Sequence, residues 1–159
     1  MLEFVESRID GWPVLRLIAS PAGIRGVEFD HVRPPVAEPN PANPLLVEAE
    51  RQLRAYFAGA LRTFDLPLDL KGTPFQVRVW SELERIPFGE TRSYSQLAQA
   101  VGSPRAVRAV GAANGANPAA IVVPCHRVIG SSGKLVGYGG GLPLKKRLLE
   151  LEGISCKMD

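Results

Sequence analysis

The sequence predicts a small α/β unit followed by a mainly helical unit that contains a helix-turn-helix. Three observations carry that prediction. Short apolar runs separated by turn residues occupy residues 4–29, one amphipathic stretch follows a proline-rich segment, and from residue 73 apolar residues recur at helical spacing between capping residues. Length and composition agree: 159 residues, 45% hydrophobic and 22% charged, suffice for one compact core or two small ones and exclude a disordered or collagen-like chain. Sixteen Gly and fourteen Pro favour short elements joined by sharp turns and exclude a coiled coil.

Taken in order, Phe4 to Glu6, Val14 to Ile18 and Gly26 to Phe29 read as strands of a small antiparallel sheet, with Pro21 and Gly23 in the turn between the last two. Residues 33–44, RPPVAEPNPANP, read as a connecting loop, because proline lacks the amide donor and restricts its predecessor. From Leu45 the pattern turns helical, with Leu46, Ala49, Leu53, Tyr56 and Phe57 on one stripe that ends near Gly59. Leu66, Leu68 and Leu70 alternate with Pro67 and Asp69, and Gly72 to Pro74 break the pattern. This sets the expected division into residues 1–72 and 73–159.

In the second part Phe75 to Ile86 carries Val79, Trp80, Leu83 and Ile86 on one stripe and stops before Pro87. Ser93 and Gln96 form the S-x-x-Q pattern of a capping box for a helix with Leu97, Ala98 and Val101 inward, closed by Gly102. Ser103 and Pro104 supply an N-cap and first-turn proline for a second helix to about Asn114, with Ala106, Val107 and Val110 buried. Helix, three-residue turn, helix is a helix-turn-helix. On its second helix Arg105, Arg108 and Ala112 share a face, which fits a groove-reading helix and equally a small-residue packing helix with solvated arginines. Ala120 to Val123 is strand-like, Ser131 to Gly141 is a glycine-rich loop, and Pro143 opens a closing helix with Leu144, Leu148 and Leu151 inward and Glu152 on its last turn.

The net charge of +3 conceals a contrast. Residues 1–70 hold seven Arg and ten acids, a net of −3, whereas residues 71–159 hold twelve Lys or Arg and six acids, a net of +6. Such asymmetry fits a polyanion partner for the second half and also an ordinary solvated surface. Glu3, Glu6, Arg8 and Asp10 interrupt any signal-peptide-like apolar stretch, and no apolar run is long enough to span a bilayer. Two cysteines, Cys125 and Cys156, are too few for a disulfide framework and suggest a reducing compartment, so a soluble cytoplasmic protein is expected.

Cys125 beside His126 is the constellation with the most chemistry, since the thiolate is the reactive form and an imidazole assists its formation. Adjacent residues of a strand face opposite ways, so contact needs a turn or a bridging water. Glu152 is a candidate to orient the imidazole. An isolated Cys-His pair also fits a small buried hydrophobe next to a histidine bonded to a carbonyl. A structural zinc would need four ligands, and Cys125, Cys156, His31 and His126 match no zinc spacing. Gly137 to Gly141 lacks the G-K-[ST] ending of a phosphate loop.

The run PCHRVIGSSGKLVGYGGG from Pro124 to Gly141 closely resembles the active-site signature of the O6-alkylguanine-DNA alkyltransferases, the methylated-DNA--protein-cysteine methyltransferases. The likeness extends through FGETRSYSQLA (Phe88 to Ala98), RAVRAVGAANGANP (Arg105 to Pro118) and LLELEG (Leu148 to Gly153), at matching spacing over residues 74–153. In the first half only the strand pattern and AYFAG, Ala55 to Gly59, look similar.

The resemblance implies a ribonuclease-H-like α/β domain followed by a helical domain with a winged-helix-like helix-turn-helix that enters the minor groove. It implies repair of double-stranded DNA by direct reversal: one irreversible transfer of an alkyl group from O6-alkylguanine, with O4-alkylthymine as a further substrate, by a monomer that binds singly or cooperatively. Cys125 corresponds to the nucleophile, His126 to the base acting through water, Glu152 to its orienting partner, and Asn117 to the asparagine that fixes the cysteine turn. Tyr94 corresponds to the tyrosine that crowds the target phosphate and donates to the departing guanine, and Arg108 to the finger that fills the space of the flipped nucleotide. Val128 offers a carbonyl to the guanine amino group, and the Tyr138 to Gly139 loop donates near O6; position 139 is Gly where some relatives have Ser. Gln76, Ser95, Ser103 and Ser131 fall at backbone-contact positions. Some relatives hold zinc in the first domain, but here that region has only His31 and no Cys, so neither metal nor cofactor is expected. A non-catalytic alkyltransferase-like lesion binder and a cysteine hydrolase are the competing readings.

Overall fold

The computed structural model describes residues 1–29 and 36–156. His31 and the start of the proline-rich segment lie outside the described residues. The chain divides into two compact units, Met1–Lys71 and Gly72–Asp159.

The first unit is a four-stranded sheet covered by one helix. Strands β1 (Glu3–Ser7), β2 (Leu15–Ser20), β3 (Gly23–Phe29) and β4 (Glu38–Pro39) lie in the order β3-β2-β1-β4. The β1–β2 and β2–β3 pairs are antiparallel, whereas β4 runs parallel to β1, so the sheet is mixed rather than purely antiparallel as expected. The loop reading of residues 33–44 missed β4 for a physical reason. Its ladder donors are the Glu38 and Asn40 amides, which reach Leu2 O at 2.9 Å and Phe4 O at 3.0 Å, so Pro39 sits at the edge where no donor is required. The central strand β2 buries Leu15, Leu17 and Ala19.

Helix α1 (Pro44–Phe57) is capped by Asn43, whose side chain accepts from the Leu45 and Leu46 amides at 2.9 and 3.2 Å, with Pro44 at the first position. It buries the predicted stripe Leu46, Ala49, Leu53, Tyr56 and Phe57 and, in addition, Gln52. Residues near Leu68 close the unit: Ile24 N donates to Pro67 O, and Asp69 N donates to Ile24 O, each at 2.8 Å. Gly23 permits this approach, because a Cβ there would stand 2.7 Å from the Pro67 oxygen.

The second unit begins with α2 (Pro74–Leu83), opened by a capping box in which Thr73 and Gln76 bond each other's backbone amides. Helix α3 (Tyr94–Ala100) carries the expected Ser93–Gln96 box, and Leu97, Ala98 and Val101 are buried as predicted. Helix α4 (Val107–Gly115) starts later than the sequence suggests. Ser103 and Pro104 do not cap it; residues 101–106 form the turn, with Ala106 N donating to Ser103 O at 2.9 Å. Arg105 therefore precedes the helix, and only Arg108 and Ala112 of the predicted face lie on it. Val110 is buried, while Ala106 and Val107 are half-buried. Trp80 ties α2 to α4 through its indole N–H, which donates to Ala113 O at 2.8 Å.

Two short elements had no signature in the sequence. Strands β5 (Arg92–Ser93) and β6 (Val128–Ile129) pair in parallel, too short to show a period-two pattern. They bring the start of α3 beside the residues that follow Cys125. The closing helix α5 (Leu142–Leu151) buries Leu144, Lys145, Leu148 and Leu149, and Leu151 is half-buried rather than inward. Among the described residues no helix is long and apolar enough to cross a membrane.

Trp80→Phe removes the indole donor and leaves the Ala113 carbonyl with the Ala116 amide alone, at 3.2 Å. It is expected to cost about 0.5–1.5 kcal/mol in chemical denaturation, the typical net contribution of one hydrogen bond.

Candidate active site

Cys125 is presented by a turn built from three consecutive features. The predicted strand at Ala120 to Val123 is instead a tight turn, with Val123 N donating to Ala119 O and Val122 N to Ala120 O, each at 2.9 Å. Ile121 within it has φ of +73°, a left-handed conformation that costs a β-branched residue about 1–3 kcal/mol. Pro124, at φ −82° and ψ 65°, is the centre of an inverse γ-turn closed by Cys125 N donating to Val123 O at 2.8 Å. Asn117 fastens the assembly: its Nδ2 donates to Val123 O at 2.8 Å and its Oδ1 accepts from Ala119 N at 3.0 Å.

Cys125, His126 and Arg127 then form one turn of 3-10 helix. This removes the difficulty of a strand, in which neighbouring side chains would diverge. Asn114 on α4 donates to the Cys125 carbonyl at 3.5 Å.

Glu152 caps α5 and is the hub of the cluster. Its Oε2 lies 2.7 Å from His126 Nε2, its Oε1 accepts from Arg127 Nε at 2.8 Å, and Arg127 Nη2 reaches Oε2 at 3.1 Å. The Gly89 amide adds a bond to Oε1 at 3.2 Å, and Arg127 Nη1 donates to Ile86 O at 2.6 Å. Cys125, His126, Arg127 and Glu152 are all buried. A carboxylate facing Nε2 holds the proton there, so the basic lone pair of the imidazole is at Nδ1.

The electrostatics follow from burial. Desolvation pushes the Cys125 thiol above its ordinary pKa, opposed by a hydrogen bond from Asn117 and by the charge of Lys145. Burial pushes His126 below its ordinary value, opposed by Glu152. Tyr94 is raised, first by burial and then by the Cys125 charge, against a hydrogen bond from Asn114. The thiol at rest is therefore protonated and shielded, and an imidazole that is neutral is available as a base.

Of the residues singled out in the sequence, Glu152 meets His126, and Asn117 fastens the turn that leads into Cys125. Tyr94, at the start of α3, is half-buried and donates its hydroxyl to Val136 O at 2.8 Å. Val128 is buried in β6, Tyr138 is half-buried and Gly139 exposed in the glycine-rich loop, and Arg108 is exposed on α4. Ser95 and Ser131 are exposed and Ser103 is half-buried in the turn between α3 and α4, while the side-chain oxygen of Gln76 accepts from the Thr73 amide. Sequence reasoning missed Arg127, Lys145 and Asn114. Arg127 lies inside the PCHR run, but nothing in a linear pattern pairs it with Glu152. Lys145 falls next to an apolar stripe that a periodicity argument leaves in solvent. Among the described residues no three His, Cys, Asp or Glu side chains are placed to hold a metal ion.

A buried thiol next in sequence to an imidazole held by a carboxylate thus lies in a unit that also carries a helix-turn-helix. Two family models match this chain. Residues 74–154 match the 6-O-methylguanine DNA methyltransferase DNA binding domain, and residues 14–70 match the ribonuclease-like domain of the same family. The chain belongs to the 6-O-methylguanine DNA methyltransferase family.

Among its relatives, the methylated-DNA--protein-cysteine methyltransferase of Mycobacterium bovis is 66% identical over 101 residues, 64% of this chain and 61% of that protein. The matched segment thus spans about three fifths of that relative's length. The constitutive enzyme of Bacillus subtilis is 59% identical over 115 residues, 72% of this chain and 70% of its own. The crystal structure of Mycobacterium tuberculosis OGT in complex with DNA superposes with a TM-score of 0.84 at 49% identity, covering 95% of this chain and 91% of that one. The two-unit α/β and helical architecture is therefore the fold of this family.

Because burial holds His126 below its ordinary value of 6.5, the unfolded chain takes up the extra proton as the pH falls. The stability that the neutral imidazole contributes is complete above about 6.5 and declines as the pH drops toward the folded-state value. Urea midpoints measured across that range are expected to fall on the acid side, and His126→Gln is expected to flatten this part of the profile.

Proposed function

We propose that this protein repairs double-stranded DNA by transferring the alkyl group of O6-alkylguanine irreversibly to Cys125, once per molecule. The buried His126–Glu152 pair, next in sequence to the buried Cys125 thiol and within a DNA-binding domain of this family, is the observation that carries the reading. Residues 73–159 bind DNA and perform the transfer, and residues 1–72 serve as scaffold.

His126 Nδ1 accepts the thiol proton through a water molecule, while Glu152 stabilises the resulting imidazolium and Arg127 steadies Glu152. The thiolate attacks the alkyl carbon in line. The S–C bond forms as the C–O6 bond breaks, and the electron pair stays with guanine, which takes a proton from the Tyr94 hydroxyl. A thioether offers no easy hydrolysis, so the sulfur is not regenerated. The Val128 carbonyl accepts from the guanine amino group, and the loop at Tyr138 and Gly139 donates near O6; O4-alkylthymine is a second substrate.

Access requires the nucleotide to leave the stack, at a cost of a few kcal/mol that is smaller for a poorly paired lesion. Arg108, exposed on α4, fills the vacated space, and the small residues around it, Ala109, Gly111 and Ala112, suit close approach in the minor groove. Ser95, Ser103, Ser131 and Gln76 contact the phosphate backbone. The basic balance of residues 71–159 supports a polyanionic partner. The protein acts as a monomer, bound singly or cooperatively, in the cytoplasm at the nucleoid. The non-catalytic lesion-binding alternative is disfavoured because Cys125 is present in a formed site.

Incubation with an oligonucleotide carrying O6-methylguanine is expected to add one CH2 to the mass of the Cys125 peptide, with stoichiometry capped at one. Absence of that adduct, or multiple turnover, refutes the proposal. Cys125→Ala is expected to abolish transfer and keep lesion binding. Arg108→Ala is expected to slow repair of duplex far more than of single-stranded substrate, read from single-turnover rates on the two.

A further inference from the structure

The glycine-rich loop between β6 and α5 is fastened at its middle by two side chains. Residues 135–138 belong to no helix, strand or turn. Val136 O accepts from the Tyr94 hydroxyl at 2.8 Å and from Lys145 Nζ at 3.1 Å, and Gly137 O accepts from the same Nζ at 3.2 Å. Tyr94 opens α3, and its ring lies against α4, where a Cβ added to Gly111 would stand 3.8 Å away. One phenol thus ties both helices of the helix-turn-helix to the loop.

The two fastenings differ in kind. Lys145 is fully buried, and its ammonium has protons enough for both carbonyls. Tyr94 is half-buried, and a phenol has a single proton to donate. That proton is committed to Val136 O, yet it is the one that the proposed transfer delivers to guanine. Both bonds cannot be made in full at once, because a hydrogen bond weakens steeply away from linearity. Gly133 and Gly141, at φ of +84° and +92°, bracket the segment and supply its hinges.

We infer that the Tyr94–Val136 hydrogen bond is a latch that fastens the glycine-rich loop to α3, and that entry of the target base opens it by drawing the phenolic proton away from the Val136 carbonyl. This rests on the reading of Tyr94 as proton donor to guanine and deepens it: the donor and the loop are released by the same event, so the proton becomes available only when a base is in place. Lys145 still holds Val136 O and Gly137 O once Tyr94 lets go, so the loop swings on α5 without detaching from it.

The first test uses the whole chain without DNA, so it does not depend on whether alkylguanine is the substrate. In Tyr94→Phe the Val136 and Gly137 amides are expected to exchange with solvent about fivefold faster than in the parent, the loss of one net hydrogen bond, and the Val136 carbonyl carbon is expected to shift in the NMR spectrum. Unchanged exchange and an unchanged shift overturn the inference. If the variant does not fold, the parent supplies the measurement: the Tyr94 hydroxyl proton, read from the deuterium isotope shift on its ζ-carbon, is expected to exchange about tenfold or more slowly than that of an exposed tyrosine, and exchange as fast as the exposed one overturns the inference equally. The second test adds duplex DNA to Cys125→Ala. A duplex carrying O6-methylguanine is expected to move the Val136 carbonyl resonance to its position in Tyr94→Phe, while the same duplex with plain guanine leaves it in place. A resonance that stays put with the lesion, or moves equally with both duplexes, overturns the inference. A latch that opens as expected in a protein whose parent chain forms no alkyl adduct counts against the proposed function alone.

Discussion

The second unit is organised around the Glu152 carboxylate. It stands at the end of α5 and accepts from His126, from two nitrogens of Arg127 and from the Gly89 backbone, so one buried group joins the closing helix, the cysteine turn and the turn after α2. A buried carboxylate is tolerable only when its lone pairs are occupied, and here four donors converge on two oxygens. The arrangement lets Glu152 fasten three segments and fix the orientation of His126 at once. Arg127 offsets its charge, and His126 is left with its proton fixed on one nitrogen and its base strength directed at the other.

The same network accounts for features of the surrounding chain that look irregular in isolation. Helix α2 stops at Leu83 although its apolar stripe continues to Ile86, and the Ile86 carbonyl that a longer helix would engage is taken by Arg127 at 2.6 Å. Ile121 is held at a positive φ because the turn it belongs to is fastened by Asn117 on one side and buried on the other. Strain of this kind persists where the surroundings over-determine the backbone, and here it sets the position of the sulfur.

Burial keeps the thiol protonated and shielded, which suits the proposed single transfer. Burial raises the cost of every charge in the site, so each charged group there needs a partner: Arg127 has Glu152, and the Lys145 ammonium has the Val136 and Gly137 carbonyls.

Much of this was legible in the linear sequence. Helical stripes such as Leu46, Leu53 and Tyr56, the Ser93–Gln96 box, and the two-part organisation are local or periodic, and local chemistry sets them before any packing occurs. The PCHR run with Asn117 and Glu152 at matching spacing identified the family, because those residues have to be present whatever the rest of the chain does. Pairings between distant segments were not legible. The β5–β6 ladder and β4 are two residues long and carry no period, the start of α4 moved because its turn closes through backbone bonds, and Lys145 and Arg127 are polar residues whose burial depends on partners far away in sequence. Local pattern along the chain set the candidate residues and most of the helices around them. Which charges face one another was settled by packing, because electrostatic partnership in a dry core depends on distance in space, which a linear pattern does not encode.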